Sequence, residues 1–342
     1  LGLASCTCCQ AGFGKSGARF IVSTIFAVNM IGWFGIQNGV CGEAFSNAML
    51  AMTGWDIPVV VSNTIWGIIM LLTAVYGVHA LEKLDKISIP LLMIIMCYGT
   101  FLAFKVYGTG NLNDEGTVQS MSFMSGVALS FNFTAVGTIT GPDYTRFQKS
   151  RKDTVKSVFY GVFPMGVITL IMGIVLTKLS GQYDISMVLI EVGLPLLGII
   201  ALVISTWTTN STNAYSAGLN IVMALKLKDN RRREATLISG IVGIVLCDLG
   251  ILGHVEGVLS LLSYVVCPVG GVILADYWVV GKGKAKNFRP QDGVNWAGVI
   301  AWALGAIISY TLVKIEFVGI IIGFVIYLIA ERFIPSASRD NA

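Results

Sequence analysis

Apolar residues run along this chain in stretches of about twenty, broken by short connections that carry the charge. A helix that crosses a bilayer needs about 20 mostly apolar residues. Stretches of that kind fall at approximately 19–42, 57–79, 87–107, 121–141, 156–178, 189–222, 236–253, 257–279, 294–313 and 315–334. The pattern predicts ten membrane helices. The sixth is longer than a bilayer requires, so it is expected to tilt or to project beyond it.

Composition agrees with this pattern. Of 342 residues, 55% are hydrophobic and 12% charged, and the mean hydropathy is +0.76. A soluble domain carries about 25% charged residues because its surface faces water. Most of this surface is expected to face lipid. The 39 glycines fit close helix approach and local breaks in membrane helices. The chain begins at Leu1 without a signal-peptide pattern, and its natural start is expected to lie upstream.

Charge sets an orientation. All Lys and Arg except Lys105, Lys178 and Lys314 fall on one side of a ten-span arrangement. They gather before the first span (Lys15, Arg19) and in the loops at 83–86, 146–156, 226–233 and 282–289. The tail adds Arg332 and Arg339. The positive-inside rule then places both ends in the cytoplasm.

Polar residues inside such spans are costly and therefore informative. The sixth segment contains Ser205-Thr206-Trp207-Thr208-Thr209-Asn210-Ser211-Thr212-Asn213. On a helix Ser205, Thr208, Thr209 and Thr212 share one face, while Thr206, Asn210 and Asn213 lie on the adjoining one. Such a face can glue helices together, or its oxygens can hold a small hard cation. In the first span Trp33 sits one turn from Gln37. The fourth reads Ser130-Phe131-Asn132-Phe133-Thr134 and ends at Gly141-Pro142, where the helix can stop or unwind. Two aromatic rings with amides suit a flat heteroaromatic base. Stacking contributes roughly 1–3 kcal/mol per base, and amides choose its edge.

Other chemistry is thin. Cys6, Cys8 and Cys9 have no histidine near them, the two histidines being His79 and His254; free thiols near a membrane surface are expected. Asp248 and Asp276 fall near span ends, as interfacial carboxylates do, and Asp143 is expected to pair with Arg146. No catalytic constellation stands out, so an enzyme is not expected. Nor does any appended domain point to a base-binding membrane scaffold or sensor.

Five motifs carry a resemblance. Gly32-Trp33-Phe34-Gly35, Asp143-Tyr144-Thr145-Arg146-Phe147, Trp207-Thr208-Thr209-Asn210, Pro268 to Tyr277 and Val294-Asn295-Trp296 together resemble the nucleobase:cation symporter family one, also called the purine-cytosine permease family, and most nearly its bacterial cytosine-transporting branch. The resemblance implies an all-α integral membrane protein of LeuT-type inverted-repeat fold. The ten spans here resemble family helices three to twelve. One transmembrane domain would cover 1–342: the rest of a first repeat in 1–107, a second five-helix repeat in 120–280 and two extra helices in 293–334. Residues 1–18 resemble the end of the second helix and its following loop.

The resemblance also implies roles. Trp33 and Phe133 would stack on the two faces of a base, and Gln37, Asn132, Asn210 and Asn213 would bind its edge. The Ser205 carbonyl and the hydroxyls of Thr208 and Thr209 would form half of a Na+ site. The other half lies in the family on a first helix this sequence does not include. Met30 stands where glutamine is expected in the cytosine branch. The implied activity is Na+-coupled cytosine uptake by a monomer in the bacterial cytoplasmic membrane, with no cofactor beyond the coupling ion and no nucleic-acid partner. H+ coupling is the alternative, as are a purine, uracil, allantoin or hydantoin substrate.

Overall fold

The computed structural model describes residues 2–113, 122–182 and 184–334. Positions 120 and 121, where the second repeat and fourth span are predicted to begin, and Arg339 lie outside the described residues. All regular structure among the described residues is helical. Ten helices coincide with the ten apolar stretches: α1 (Ser23–Thr53), α2 (Val59–Tyr76), α3 (Val78–Tyr107), α4 (Phe123–Ile139), α5 (Phe163–Ser180), α6 (Pro195–Ala224), α7 (Arg232–Asp248), α8 (Val255–Leu274), α9 (Trp296–Ile308) and α10 (Val318–Phe333). Six continuous helical stretches are long and apolar enough to cross a membrane: Gln10–Thr53, Val59–Tyr76, His79–Tyr107, Arg151–Ser180, Ile251–Val280 and Trp296–Val313.

The ends follow local chemistry. α1 and α5 stop where Gly54 and Gly181 take left-handed backbone, at φ +75° and +73°, which glycine adopts without steric cost. Ser122 and Asn295 cap α4 and α9 by accepting the backbone N–H of Ser125 and Ala297.

The sixth stretch is not one long helix. A short helix, Ile185–Glu191, is followed by Gly193 at φ +86° and then by α6 with Pro195 in its first turn. Glycine permits the reversal and proline starts the next helix without losing a bond. Beyond the break α6 is still 30 residues long, more than the ~20 that cross a bilayer.

The outer surface is apolar. Ile87, Ile94 and Phe101 on α3, and Phe163, Leu170 and Ile174 on α5, are all exposed. In water such faces would associate; in lipid they are at rest. Inside, α1 makes its most extensive contact with α6. Phe34, Cys41, Met70, Leu71, Ala74, Val203, Ala214 and Ile244 join α1, α2, α6 and α7 in one buried cluster. A second joins α1 to α8, α9 and α10 through Phe26, Met30, Trp33, Leu262, Val266, Ala301 and Tyr327.

Glycines let α8 to α10 pack backbone to backbone. A Cβ on Gly305 would lie 2.8 Å from the Pro268 side chain, and one on Gly323 would lie 2.7 Å from the Pro268 carbonyl oxygen. A Cβ on Gly271 would collide with the Ile320 carbonyl oxygen.

The segment before α1 folds back as a clasp. Ser5 N–H donates to Asp143 Oδ1 (2.8 Å) and Ser5 Oγ donates to the Thr140 carbonyl (3.0 Å). Lys15 N–H and Ser16 N–H donate to the carbonyls of Gln291 and Gly293, and Lys15 Nζ pairs with Asp292 at 2.7 Å. The expected Asp143–Arg146 pair is not among the ion pairs of the described residues; Ser5 takes the carboxylate instead. Burial raises the pKa of Asp143, while the Ser5 hydrogen bonds and Arg146 pull it down.

Cys6 and Cys9 are buried rather than at the surface, and all seven cysteines are free. Cys6 Sγ donates to Asn220 Oδ1 (3.0 Å) and accepts from Ser23 Oγ (3.2 Å). Burial pushes its thiol up to about 12, so it stays a neutral donor.

Gly271→Val is expected to destabilise the protein by ~1–3 kcal/mol or more, because the backbone of α10 must move aside. Gly137→Ala, with nothing within 4 Å of the added carbon, should leave thermal unfolding in detergent almost unchanged.

Candidate functional site

The polar run of α6 divides as its spacing predicts. Thr206, Asn210, Ser211 and Asn213 are buried, Ser205 and Thr209 are open, and Thr208 and Thr212 are half-buried. The buried side faces α1 and α2. Asn210 Nδ2 donates to the Phe34 carbonyl at 3.1 Å, Ser211 Oγ to the Met70 carbonyl at 3.0 Å, and Trp207 Nε1 to Thr73 Oγ1 at 2.9 Å. These three bonds, within about one turn, fix α6 against its neighbours.

On the open side Thr208 Oγ1 and Thr209 Oγ1 both donate to the Ser205 carbonyl, at 3.0 and 3.1 Å. Three oxygens therefore converge, with hydroxyl lone pairs left free to accept or to coordinate. Neutral oxygens are the donor set a hard cation takes. A full shell needs more than three, so groups from elsewhere would have to join them.

Trp33 and Phe133 meet directly, with ring centroids 5.3 Å apart and planes at 87°. The two rings implied to sandwich a base are thus brought together, edge to face rather than as parallel plates. Trp33 is 8% exposed and Phe133 60%, so Phe133 offers the open ring. Gln37, one turn above Trp33, is half-buried.

Three buried amides on α4 and α6 are incompletely bonded. Asn132 Oδ1, Asn210 Oδ1 and Asn213 Nδ2 are buried without a hydrogen-bond partner. An unmet buried polar group costs about 1–3 kcal/mol. Two acceptors and one donor on α4 and α6 are held at that cost. Asn210 has committed its NH2 group to the Phe34 carbonyl, so only its oxygen remains for a ligand.

Some polar residues escaped the sequence analysis. Asn29, one turn before Trp33, is 1% exposed and its Oδ1 is also unpartnered; its signal was an isolated amide on the same helix face as the tryptophan. Asn38 Nδ2 donates to the Asn63 carbonyl, and Asn63 Nδ2 to Asp248 Oδ1 at 3.1 Å. Asp248 is thus tied to α2. Asp276 accepts from Tyr327 Oη at 2.9 Å. Glu316 is a buried carboxylate bonded to Ser260.

A bundle with an apolar exterior, buried unmet amides on two of its helices, an interior ring pair and an oxygen-rich helix face describes a helical membrane transporter. Comparison with known proteins gives the family. Residues 1–331 match the family described as permeases for cytosine/purines, uracil, thiamine and allantoin, and the chain belongs to that nucleobase:cation symporter family. It is 31% identical over 328 residues to the cytosine permease of Escherichia coli K12, an alignment covering 94% of this chain and 75% of that one. It is 25% identical to the allantoin permease of Bacillus subtilis, over 96% of this chain and 77% of that one.

Its fold is similar to Mhp1, a nucleobase-cation-symport-1 transporter solved in a closed conformation with bromovinylhydantoin bound, with a TM-score of 0.77 at 19% identity over 97% of this chain and 79% of that one. The inward-facing form of Mhp1 gives 0.76. The fold is accordingly LeuT-type, and the relatives are permeases, not enzymes.

The geometry separates two kinds of substitution. Asn210→Ala strands buried groups between α1 and α6 and is expected to cost about 1–3 kcal/mol. Thr209→Ala, on the open face, should change stability by no more than about 0.5 kcal/mol. Thermal unfolding of the two purified variants beside the parent checks the difference.

Proposed function

We propose that this permease carries cytosine across the bacterial cytoplasmic membrane into the cell by alternating access, coupled to Na+ and acting as a monomer with both described ends in the cytoplasm. The observation that carries this reading is the Trp33–Phe133 ring pair, taken with the unmet amides of Asn132 on α4 and of Asn210 and Asn213 on α6. A flat ring with both donors and acceptors on its edge would answer those amides while stacking on the aromatic faces. Gln37, one turn from Trp33, would bind the same edge. The 31% identity to a cytosine permease supports the choice of base.

The coupling reading rests on the oxygens of Ser205, Thr208 and Thr209. Sodium bound there would neutralise no side-chain charge; it would order α6 beside Asn210. By linkage, each ligand would then raise the affinity for the other. A second reading, a related ring such as allantoin or hydantoin, is favoured by the similarity to the allantoin permease at 25% and to a hydantoin permease of Microbacterium maritypicum at 21%.

The test is uptake of labelled cytosine into proteoliposomes with and without an inward Na+ gradient, with unlabelled uracil, purines, allantoin and hydantoin as competitors. Gradient-driven cytosine uptake is expected, with the competitors weaker. Equal uptake without Na+ removes the coupling, and better competition by another ring replaces the substrate. Trp33→Ala should raise KM roughly tenfold or more, from the loss of a stacking surface worth about 1–3 kcal/mol. Thr208→Ala with Thr209→Ala should raise the Na+ concentration needed for half-maximal uptake while leaving folding intact.

A further inference from the structure

The continuous helical stretch Arg151–Ser180, which ends as α5, is long and apolar enough to cross a membrane. Arg151, Val155, Phe159 and Phe163 recur along it at four-residue spacing and so share one face. The three apolar members are 59%, 60% and 63% exposed, and Phe159 stacks on Phe163 with centroids 6.2 Å apart. This face is open to lipid. At its start it turns cationic: Arg151 is exposed, and its guanidinium carbon stands 5.9 Å from the centre of a Trp278 ring. Trp278 lies near the end of the stretch Ile251–Val280, which continues α8, and is 53% exposed.

The turn after Trp278 brings two more cations to the same indole. Lys282 and Gly283 take left-handed backbone at φ +53° and +63°, and Tyr277 Oη donates to the Gly283 carbonyl at 3.1 Å. Gly283 is thereby held so close to Trp278 that a Cβ on it would sit 2.9 Å from the ring. Lys282 and Lys284, on either side of that glycine, are both exposed. Arg151, Lys282 and Lys284 take part in none of the ion pairs of the described residues. The carboxylates nearest in sequence are engaged elsewhere, Asp153 by Ser150 Oγ at 2.8 Å and Asp276 by Tyr327 Oη at 2.9 Å.

We propose that Arg151, Trp278, Lys282 and Lys284 seat the headgroup of an anionic phospholipid whose acyl chains lie along Val155, Phe159 and Phe163. Tryptophan settles where hydrocarbon gives way to headgroups, which sets the depth of the seat. The guanidinium offers a planar fork that matches two oxygens of one phosphate, and the two ammonium groups add point charges beside it. A free anion would use the charge alone. A phospholipid also uses the apolar face that begins one turn below Arg151, and this continuity of cation and apolar surface selects the lipid. The seat depends only on the bundle lying in a membrane, not on which base or coupling ion it takes.

The experiment places the protein in phosphatidylcholine nanodiscs doped with phosphatidylglycerol that carries brominated acyl chains, and measures the quenching of tryptophan fluorescence. The chain has seven tryptophans, so the share of Trp278 is the difference between the parent and Trp278→Phe. That share should be quenched at a lower mole fraction of brominated phosphatidylglycerol than of brominated phosphatidylcholine. Arg151→Gln should raise the mole fraction for half-quenching about fivefold, and adding Lys282→Gln and Lys284→Gln should raise it about tenfold or more. Lys105→Gln, which removes an exposed cation lying over Phe101 at another place on the surface, should leave it unchanged. Should the glutamine variants fail to fold, added salt must release the quenching in the parent, because exposed charges are screened. Equal quenching by the two lipids, the same loss in Lys105→Gln, or quenching indifferent to salt overturns the proposal. Release by inorganic phosphate, but not by chloride at equal ionic strength, would make this a free-anion site and overturn the lipid as its occupant.

Discussion

The crossing of α1 and α6, closed by the Asn210 amide on the Phe34 carbonyl, is the constraint on which the rest of the site depends. Both groups are buried, and neither can exchange its partner for water. Sliding α6 by one residue would replace Asn210 by Thr209 or Ser211 at that crossing and strand the amide. Once Asn210 is placed, helical geometry turns Ser205, Thr208 and Thr209 to the other side. The same crossing sets Trp33, adjacent to Phe34, toward α4 and α8, where it meets Phe133. One buried hydrogen bond thus orients the oxygen-rich face and the aromatic pair together.

Two kinds of packing support this crossing. Among α8, α9 and α10, glycines let backbones touch, and dispersion over a close interface takes the place of a hydrophobic driving force that lipid does not supply. The segment before α1 works differently. Gly14, at φ +75°, lies so near the Gly293 carbonyl that a Cβ there would sit 2.5 Å from its oxygen, which lets the segment exchange backbone hydrogen bonds with residues 291–295. Ser5 and Cys6 then tie it to Asp143 and Asn220. This clasp fixes the far ends of α4 and α6, the helices that carry the unmet amides.

What the sequence made legible was what local periodicity encodes. Each apolar run fell on a helix, six of them in helical stretches long and apolar enough to cross a membrane, and three- and four-residue spacing separated the open from the buried side of α6. Trp33 and Phe133 were paired by resemblance, and the structure gave the edge-on geometry that no spacing contains. The break before α6 was written in Gly193 and Pro195 but was masked by continuous hydrophobicity. Asp143 was assigned to Arg146 because that partner is near in sequence, whereas its true partner, Ser5, lies 138 residues away. Nothing in the sequence singled out Glu316; the fold places the Ser260 hydroxyl against its carboxylate.

The state of each amide also bears on which rings such a site can take. Asn210 offers an acceptor because its NH2 group is spent on the Phe34 carbonyl and Met70 Sδ, Asn132 offers another, and Asn213 offers a donor. A ring that only accepts leaves two oxygens unmet, and one that only donates leaves the Asn213 nitrogen unmet. At about 1–3 kcal/mol for each unmet group, either mismatch weakens binding by roughly tenfold or more. Selection therefore acts first on the mixture of donors and acceptors around a flat edge. Cytosine carries that mixture in its exocyclic amine, ring nitrogen and carbonyl, and amide-bearing rings of similar size carry it too. In the proposed site, discrimination among them would fall to shape at Trp33 and Phe133 and to Met30, which lies one turn before Trp33 and brings no polar atom able to donate.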